Sequence, residues 1–327
     1  MKLFFKRNAE EEFGGFEEIE RLYKNLAGSS AVEGRLFAED LALHHRDARA
    51  AKNKTDGACG QVFIPAGLEY RRNAFVRFPR GHEALEKISG QAAARIIWGG
   101  DETVRTICSV PKADGCIDIT FPDKYSIALI DANDINAADN EELKHIAHLF
   151  YNDTYGADQN ACSSPRTIFW LNASPNALKK WWNAVAAEAA NYDFQPWMAT
   201  EKYRMLCLAY ALDRTAGGTA GEAVLEHVKS WGNRLYVIPC KTLPDRISDL
   251  EAKMGIFYEY ELDSLDELFP YLGEKIQTIV SSSDQTQVLQ QIRRAGCAGV
   301  DRVVHFGEAL NFDTIWDRKD LIAMLLE

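Results

Sequence analysis

The sequence has no long hydrophobic run. Its apolar stretches, such as "YSIALI" and "RVVHF", are strand-sized, whereas a helix crossing a bilayer takes about 20 apolar residues. No membrane span is expected. The start, "MKLFFKRNAEEEF", has an apolar core of only Leu3–Phe5, too short for a secretory signal, so the expected compartment is the cytoplasm. Positive charge is also scarce: 37 Lys and Arg stand against 48 Asp and Glu, a net charge of −11. That excludes the basic surface on which non-specific nucleic-acid binding depends. Paired cysteines are missing as well. Cys59, Cys108, Cys116, Cys162, Cys207, Cys240 and Cys297 form no CxxC pair and no Cys/His ligand set, so neither a disulfide framework nor a bound metal is expected. There is no internal repeat and no low-complexity tract.

What is there is the composition of a globular protein, 46% hydrophobic and 26% charged over 327 residues, enough for about two domains. Residues 1–58 are charge-rich, with a helical region near 15–48 and no strong core strand. From Gln61 the pattern changes to short apolar runs divided by turn signals: "QVFIPAG", "NAFVRFP", "ARIIWGG", "CIDITF", "YSIALIDA". Helical segments, "HEALEKIS" and "DETVRTIC", fall among them. "NEELKHIAHLFYNDTY" places Leu143, Ile146, Ala147 and Phe150 at helical spacing. The strand "RTIFWLN" follows, then a mostly helical stretch over 175–230. Strands resume in "LYVIPC", "GIFYEYEL", "KIQTIVSS" and "RVVHFG". Strands alternating with helices predict an α/β fold with a largely parallel sheet.

Two stretches could carry chemistry. In "FYNDTYGADQNACSSPRTIFW" a helix runs into a polar loop that displays Cys162 before an apolar strand. A nucleophilic cysteine needs partial exposure and a field favouring the thiolate. Arg166 is a nearby cation, and Asn160 could donate to an oxyanion. Cysteine is more often a buried structural residue, so these residues alone leave both readings open. In "RIIWGGDETVRTI" a strand ends at Gly99-Gly100 and a helix begins near Asp101. Paired glycines there let a ligand approach the backbone, and a helix N-terminus can face a phosphate. Asp101 and Glu102 also suit a plain helix cap. His145 and His148 share a helix face without further ligands, and His305 is expected to be a packed strand residue. Trp181 and Trp182 are expected at the core and the surface of one helix.

Three segments together, "RIIWGGDETV", "FYNDTYGADQNACSSP" and "GVDRVVHFGEALNFDTIWD", resemble the luminescence-type long-chain acyl-CoA reductases of the aldehyde dehydrogenase superfamily. The resemblance spans roughly residues 73–327. It implies an aldehyde-dehydrogenase-like α/β fold: a shortened Rossmann-type cofactor domain over 1–124, including the N-terminal helical region, a catalytic domain over 125–302 and a C-terminal segment over 303–327. By the same resemblance Cys162 is the acyl acceptor, with Asn160 as a possible oxyanion donor. Gly99, Gly100, Asp101 and Glu102 form the cofactor-phosphate turn, and Arg77 faces the adenosine ribose of NADPH. The implied reaction is reduction of a fatty acyl thioester to an aldehyde through a cysteine acyl-enzyme. The implied partners are fatty acyl-CoA or an acylated partner protein, with a homo-oligomer or a complex with an acyl-protein synthetase as possible assemblies. Thr120 stands where aldehyde dehydrogenases carry their glutamate base, and Gly255 where they carry a ribose-binding carboxylate. The early asparagine of the family is not evident after "IPAG". Two other readings stay open: an NAD-dependent aldehyde dehydrogenase, and a non-catalytic remnant that binds an acyl-transfer partner.

Overall fold

"YSIALID" is apolar almost throughout, the signature of a strand buried on both faces of a parallel sheet. In the computed structural model, which describes residues 2–6, 62–63, 75–76, 78–215 and 228–326, it forms β6 (Tyr125–Asp131). Its side chains alternate between two cores. Ala128 and Ile130 join a cluster with Phe150, Trp170, Trp181 and Phe257, while Ile127 and Leu129 join one with Phe169, Ile256 and Ile279. This is the period of two that a pleated strand imposes.

The chain divides into two compact units, Met1–Pro122 and Asp123–Glu327. In the first, β4 (Ala94–Trp98) lies between β1 (Lys2–Lys6), antiparallel to it, and β5 (Ile117–Phe121), parallel to it. The strand at Lys2–Lys6 was not expected from the charge-rich sequence around it. β2 (Val62–Phe63) and β3 (Phe75–Val76) pair antiparallel. The expected helix near 15–48 lies outside the described residues. α1 (Ala84–Ser89) and α2 (Asp101–Cys108) flank β4, and Leu85 and Ile107 pack with Ile97. Arg95, fully buried on β4, is forked onto Asp118 at 2.7 and 2.8 Å and donates to Ser89 and the Val110 carbonyl. A buried guanidinium is tolerable only when its donors are taken up in this way.

The second unit carries a seven-stranded sheet of order β12-β11-β6-β7-β10-β9-β8, made of β7 (Pro165–Leu171), β8 (Lys229–Trp231), β9 (Leu235–Pro239), β10 (Ile256–Leu262), β11 (Ile276–Ser281) and β12 (Arg302–Val304) around β6. Every pairing is parallel except β8 with β9. One face is covered by α3 (Ala132–Ala137), α4 (Asn140–Thr154) and α5 (Pro175–Ala189), the other by α6 (Pro196–Thr215) and α7 (Gln285–Arg294). The helix starts are those the sequence marks: Asp139 accepts from the Glu141 and Glu142 amides, and Ser174 caps α5 ahead of Pro175. Trp181 and Trp182 are both buried, so the expected split between core and surface is wrong. Trp182 spends its N–H on Glu259, and Trp181 packs edge-on to Phe150. The unit ends in a hairpin, β13 (Ile315–Trp316) and β14 (Lys319–Asp320), followed by α8 (Leu321–Leu326).

Candidate functional site

Because β6, β7, β11 and β12 run parallel, their first residues share one edge of the sheet. The Cys162 loop immediately precedes β7, so the thiol belongs to that edge, together with Ser126, Gln277 and Arg302 at the starts of the other three strands. The loop leaves α4 through Asp158 and Gln159, both with positive φ (54° and 53°). Such backbone in two successive non-glycine residues needs support. Gln159 provides it. Fully buried, it donates to the Pro165 and Ile256 carbonyls at 3.1 and 2.8 Å and accepts from the Gly255 N–H at 3.0 Å. A turn closed by the Ser164 amide on the Ala161 carbonyl holds Cys162 at its second position. Ser126 Oγ donates to the Cys162 carbonyl at 2.7 Å and accepts from the Thr278 N–H at 3.1 Å. The ladders of β6 with β7 and of β6 with β11 both shift register here.

The thiol itself is half-buried. Burial pushes the Cys162 thiol above its ordinary range; the hydrogen-bonding side chain of Gln277 opposes this, the Asp317 carboxylate adds to it, and Arg166 opposes it more weakly. The expected thiolate-favouring field is therefore outweighed at rest. Arg166 lies against the Tyr125 ring at 5.3 Å. Asn160 is exposed, its backbone N–H turned to the Ala157 carbonyl at 2.9 Å.

Behind the thiol, Gln277 Nε2 donates to Asp317 Oδ1 in a short hydrogen bond. Arg302 donates to Thr278 Oγ1 at 3.1 Å and to the Ala309 and Asn311 carbonyls, and its guanidinium covers the Trp316 ring at 4.4 Å. The buried Asp153, on α4, accepts from the Gly307 and Ala309 amides at 2.7 and 2.9 Å, tying the C-terminal segment to that helix. Sequence reasoning missed Ser126, Gln159, Gln277 and Asp317. Gln159 and Asp317 left a signal, the one inside "FYNDTYGADQNACSSP" and the other at the end of "GVDRVVHFGEALNFDTIWD"; Ser126 and Gln277 left none.

Gly255 has φ +83°, and a Cβ there would lie 2.1 Å from the Arg234 carbonyl oxygen and 2.5 Å from Tyr155 Oη. Backbone packing requires glycine, so no ribose-binding carboxylate can stand at this position. His148 is exposed and paired with Glu188 at 2.9 Å. His305 follows β12 and is exposed, facing Gln285, which corrects its assignment as a packed strand residue. Among the described residues no group of three or more His, Cys, Asp or Glu could hold a metal ion, and no helix is long and apolar enough to cross a membrane.

In the first unit, Gly99 ends β4 with its N–H on the Phe121 carbonyl at 3.2 Å, and Gly100 is the N-cap of α2 with no side-chain cap. A Cβ at Gly100 would meet nothing within 4 Å. The backbone thus fits the close approach of a phosphate group. Asp101 and Glu102 in the first turn put negative charge where an anion would sit, which weakens the attraction of the helix dipole. Arg77 lies outside the described residues. Thr120 lies on β5, paired in register with Ile97.

Residues 69–202 match the acyl-CoA reductase (LuxC) family. The matched segment contains the Gly99-Gly100 turn and the Cys162 loop, and it bears out the resemblance read from those motifs. Similar solved structures include a 1-pyrroline-5-carboxylate dehydrogenase from Thermus with bound NAD (14% identity, 73% of this chain and 48% of that one, TM-score 0.48). A benzaldehyde dehydrogenase, NAD-dependent, from Corynebacterium glutamicum is another (11%, 78% and 55%, TM-score 0.48). A propionaldehyde dehydrogenase from Clostridium phytofermentans is a third (13%, 72% and 52%, TM-score 0.44). The chain spans about half the length of these structures. No curated protein matches the chain in sequence.

Proposed function

We propose that the protein is a thioester-reducing oxidoreductase of the acyl-CoA reductase type, with Cys162 as the residue that takes the acyl group. The observation that carries this reading is the placement of Cys162: it lies inside the segment matched to the family, in a turn whose carbonyl is pinned by Ser126, with Gln277 in hydrogen-bonding contact with the thiol.

The Cys162 sulfur attacks the carbonyl carbon of a fatty acyl thioester, either acyl-CoA or an acylated partner protein. A bond forms from that sulfur to the acyl carbon, and the bond to the donor's sulfur breaks. The proton lost by Cys162 ends on the departing thiol, so the exchange balances without an external acid or base. The Cys162 backbone N–H and the Asn160 amide are the candidate donors to the transient oxyanion. Ser126 and Gln159 hold the loop in place while this happens. A nicotinamide dinucleotide, NADPH by the family resemblance, supplies when bound the hydride that reduces the acyl group to the aldehyde level. The residues that would hold its phosphates are Gly99 and Gly100, with Asp101 and Glu102 beside them.

Intact-mass spectrometry after incubation with a fatty acyl-CoA, without nicotinamide, tests the reading. One acyl adduct mapping to Cys162 and absent from Cys162→Ala is expected. An adduct on Cys108 or Cys240 instead, or no adduct, would overturn it.

A further inference from the structure

A cavity of about 120 Å³ lies at the strand edge that carries Cys162, lined by Gln277 of β11, Asp301, Arg302 of β12 and the hairpin residues Ile315, Trp316, Asp317 and Arg318. Three polar atoms of this lining have no hydrogen-bond partner in the protein: the carbonyl oxygen Oε1 of Gln277, an acceptor, the indole Nε1–H of Trp316, a donor, and Oδ2 of Asp301, an acceptor 3.9 Å from Lys124 Nζ. Gln277 and Trp316 are only 1% and 6% exposed. Buried polar groups are nearly always satisfied, so each unpaired one calls for a reason.

Neither Gln277 nor Trp316 can turn away to find a partner. Gln277 donates its Nε2 to Asp317. An ionised carboxylate only accepts, so the amide cannot be flipped, and Oε1 is left facing away from Asp317. Trp316 is covered by the Arg302 guanidinium at 4.4 Å and by the Phe312 ring at 4.8 Å. Asp317 is delivered by a two-residue hairpin turn in which it and Arg318 both have positive φ, 50° and 60°. Such turns favour Asn-Gly, and the chain keeps Asp-Arg there despite the steric cost of left-handed backbone. The Asp301 carboxylate is matched by two cations, Arg318 at 2.7 Å and Lys124 at 3.9 Å. That leaves one neutral acceptor and one neutral donor in the lining of a small cavity, a match for a group that offers both an N–H and a C=O. That group is an amide.

Gln277 also contacts the Cys162 thiol, so the amide would sit beside the reacting sulfur. We propose that this cavity is the subsite for the amide nearest the thioester in a pantetheine-type thiol arm. Its N–H bonds to Gln277 Oε1 and its carbonyl accepts from Trp316 Nε1. In such an arm two methylenes separate the sulfur from the amide nitrogen, so an amide held there fixes the thioester against the nucleophile. The inference rests on the proposed acyl transfer to Cys162.

The test compares two thioesters of the same fatty acid, one on N-acetylcysteamine and one on 2-acetoxyethanethiol, in which an ester oxygen replaces the N–H. Acylation of Cys162 in the whole protein is followed by intact mass, each rate divided by that of free cysteine with the same thioester. The amide compound is expected to react about tenfold faster, the worth of one buried hydrogen bond left unmade. Gln277→Met is expected to bring the ratio to about one, whereas Trp316→Phe is expected to slow both compounds, which share the carbonyl. The ratio in the parent protein decides even where a variant fails to fold. Equal rates in the parent would overturn the subsite and leave the acyl-transfer reading standing. No adduct from either compound would overturn both. A preference that survives in a folded Gln277→Met would place the amide elsewhere and overturn the proposal. Equal rates in the parent joined to weaker NADPH binding in Trp316→Phe would assign the cavity to the cofactor's carboxamide and overturn the proposal. Acyl-CoA and an acylated carrier protein, run alongside, show which source presents the arm, and the rate with that source should fall in Trp316→Phe.

Discussion

At Cys162 the electrostatics oppose early ionisation: burial and Asp317 raise the thiol, while Gln277 and Arg166 lower it. Its alkylation by iodoacetamide should therefore rise with pH later than that of a free cysteine. Asp317→Asn removes a negative charge and frees a Gln277 N–H, both of which favour thiolate, so the profile should move to lower pH. Gln277→Leu should move it up. A shift upward in Asp317→Asn would show that the carboxylate does not act on the sulfur. Asp153 gives a second titration. Burial raises it to about 6, against the pull of the Gly307 and Ala309 amides. Its folded value lies above the unfolded one, so its contribution is fully present below about pH 4 and is lost as pH rises through about 6. In urea titrations from pH 4 to 7, the stability of the parent relative to Asp153→Asn should fall by up to about 3 kcal/mol. A difference that does not change with pH would mean that Asp153 is not raised. The Cys162 loop was legible in the sequence because it is one continuous segment. The link of Gln277 and Asp317 to it was not: they reach the thiol from a strand and a hairpin more than a hundred residues later, and no local pattern ties either of them to Cys162.

At the scale of elements, the apolar runs named the strands well. "GIFYEYEL", "KIQTIVSS" and "RTIFWLN" became β10, β11 and β7, because continuous apolar runs bounded by turns have few other uses. Lys2–Lys6 was missed because its charged flanks hide a short edge strand. The order of strands was illegible: β6 lies between β11 and β7, an arrangement set by crossovers and packing, not by local pattern. That order is what lets one hydroxyl serve two strands and a loop. Ser126, fully buried on β6, holds the Cys162 carbonyl and the Thr278 amide at once. Ser126→Ala leaves a buried N–H and a carbonyl without that partner, so a loss of about 1–3 kcal/mol is expected in urea unfolding. Acylation of Cys162 should slow more than its alkylation by a small reagent, because only acylation depends on the loop's aim. Equal slowing of both would mean that the hydroxyl supports the fold without positioning the loop.

For the whole molecule, the two tasks proposed for it fall in different compact units. The thiol proposed to accept the acyl group is in Asp123–Glu327, and the glycine turn proposed to hold the cofactor is in Met1–Pro122. Acyl transfer needs no dinucleotide, whereas reduction does, so a lesion at the turn should separate the two steps. Gly100 permits a clean lesion. Its φ of −62° suits any residue, and an added Cβ would touch nothing within 4 Å. Gly100→Ala should therefore fold, at a cost under about 1 kcal/mol for a less favourable helix cap. Its methyl would stand where a phosphate must approach the backbone. NADPH affinity, read by fluorescence titration, should fall about tenfold, corresponding to about 1.4 kcal/mol. Aldehyde formation at low NADPH should fall with it, while the rate of the Cys162 adduct from acyl-CoA should stay within about twofold of the parent. Unchanged NADPH binding would remove Gly100 from the cofactor site. A parallel loss of acylation would show that the thiol chemistry depends on the first unit after all.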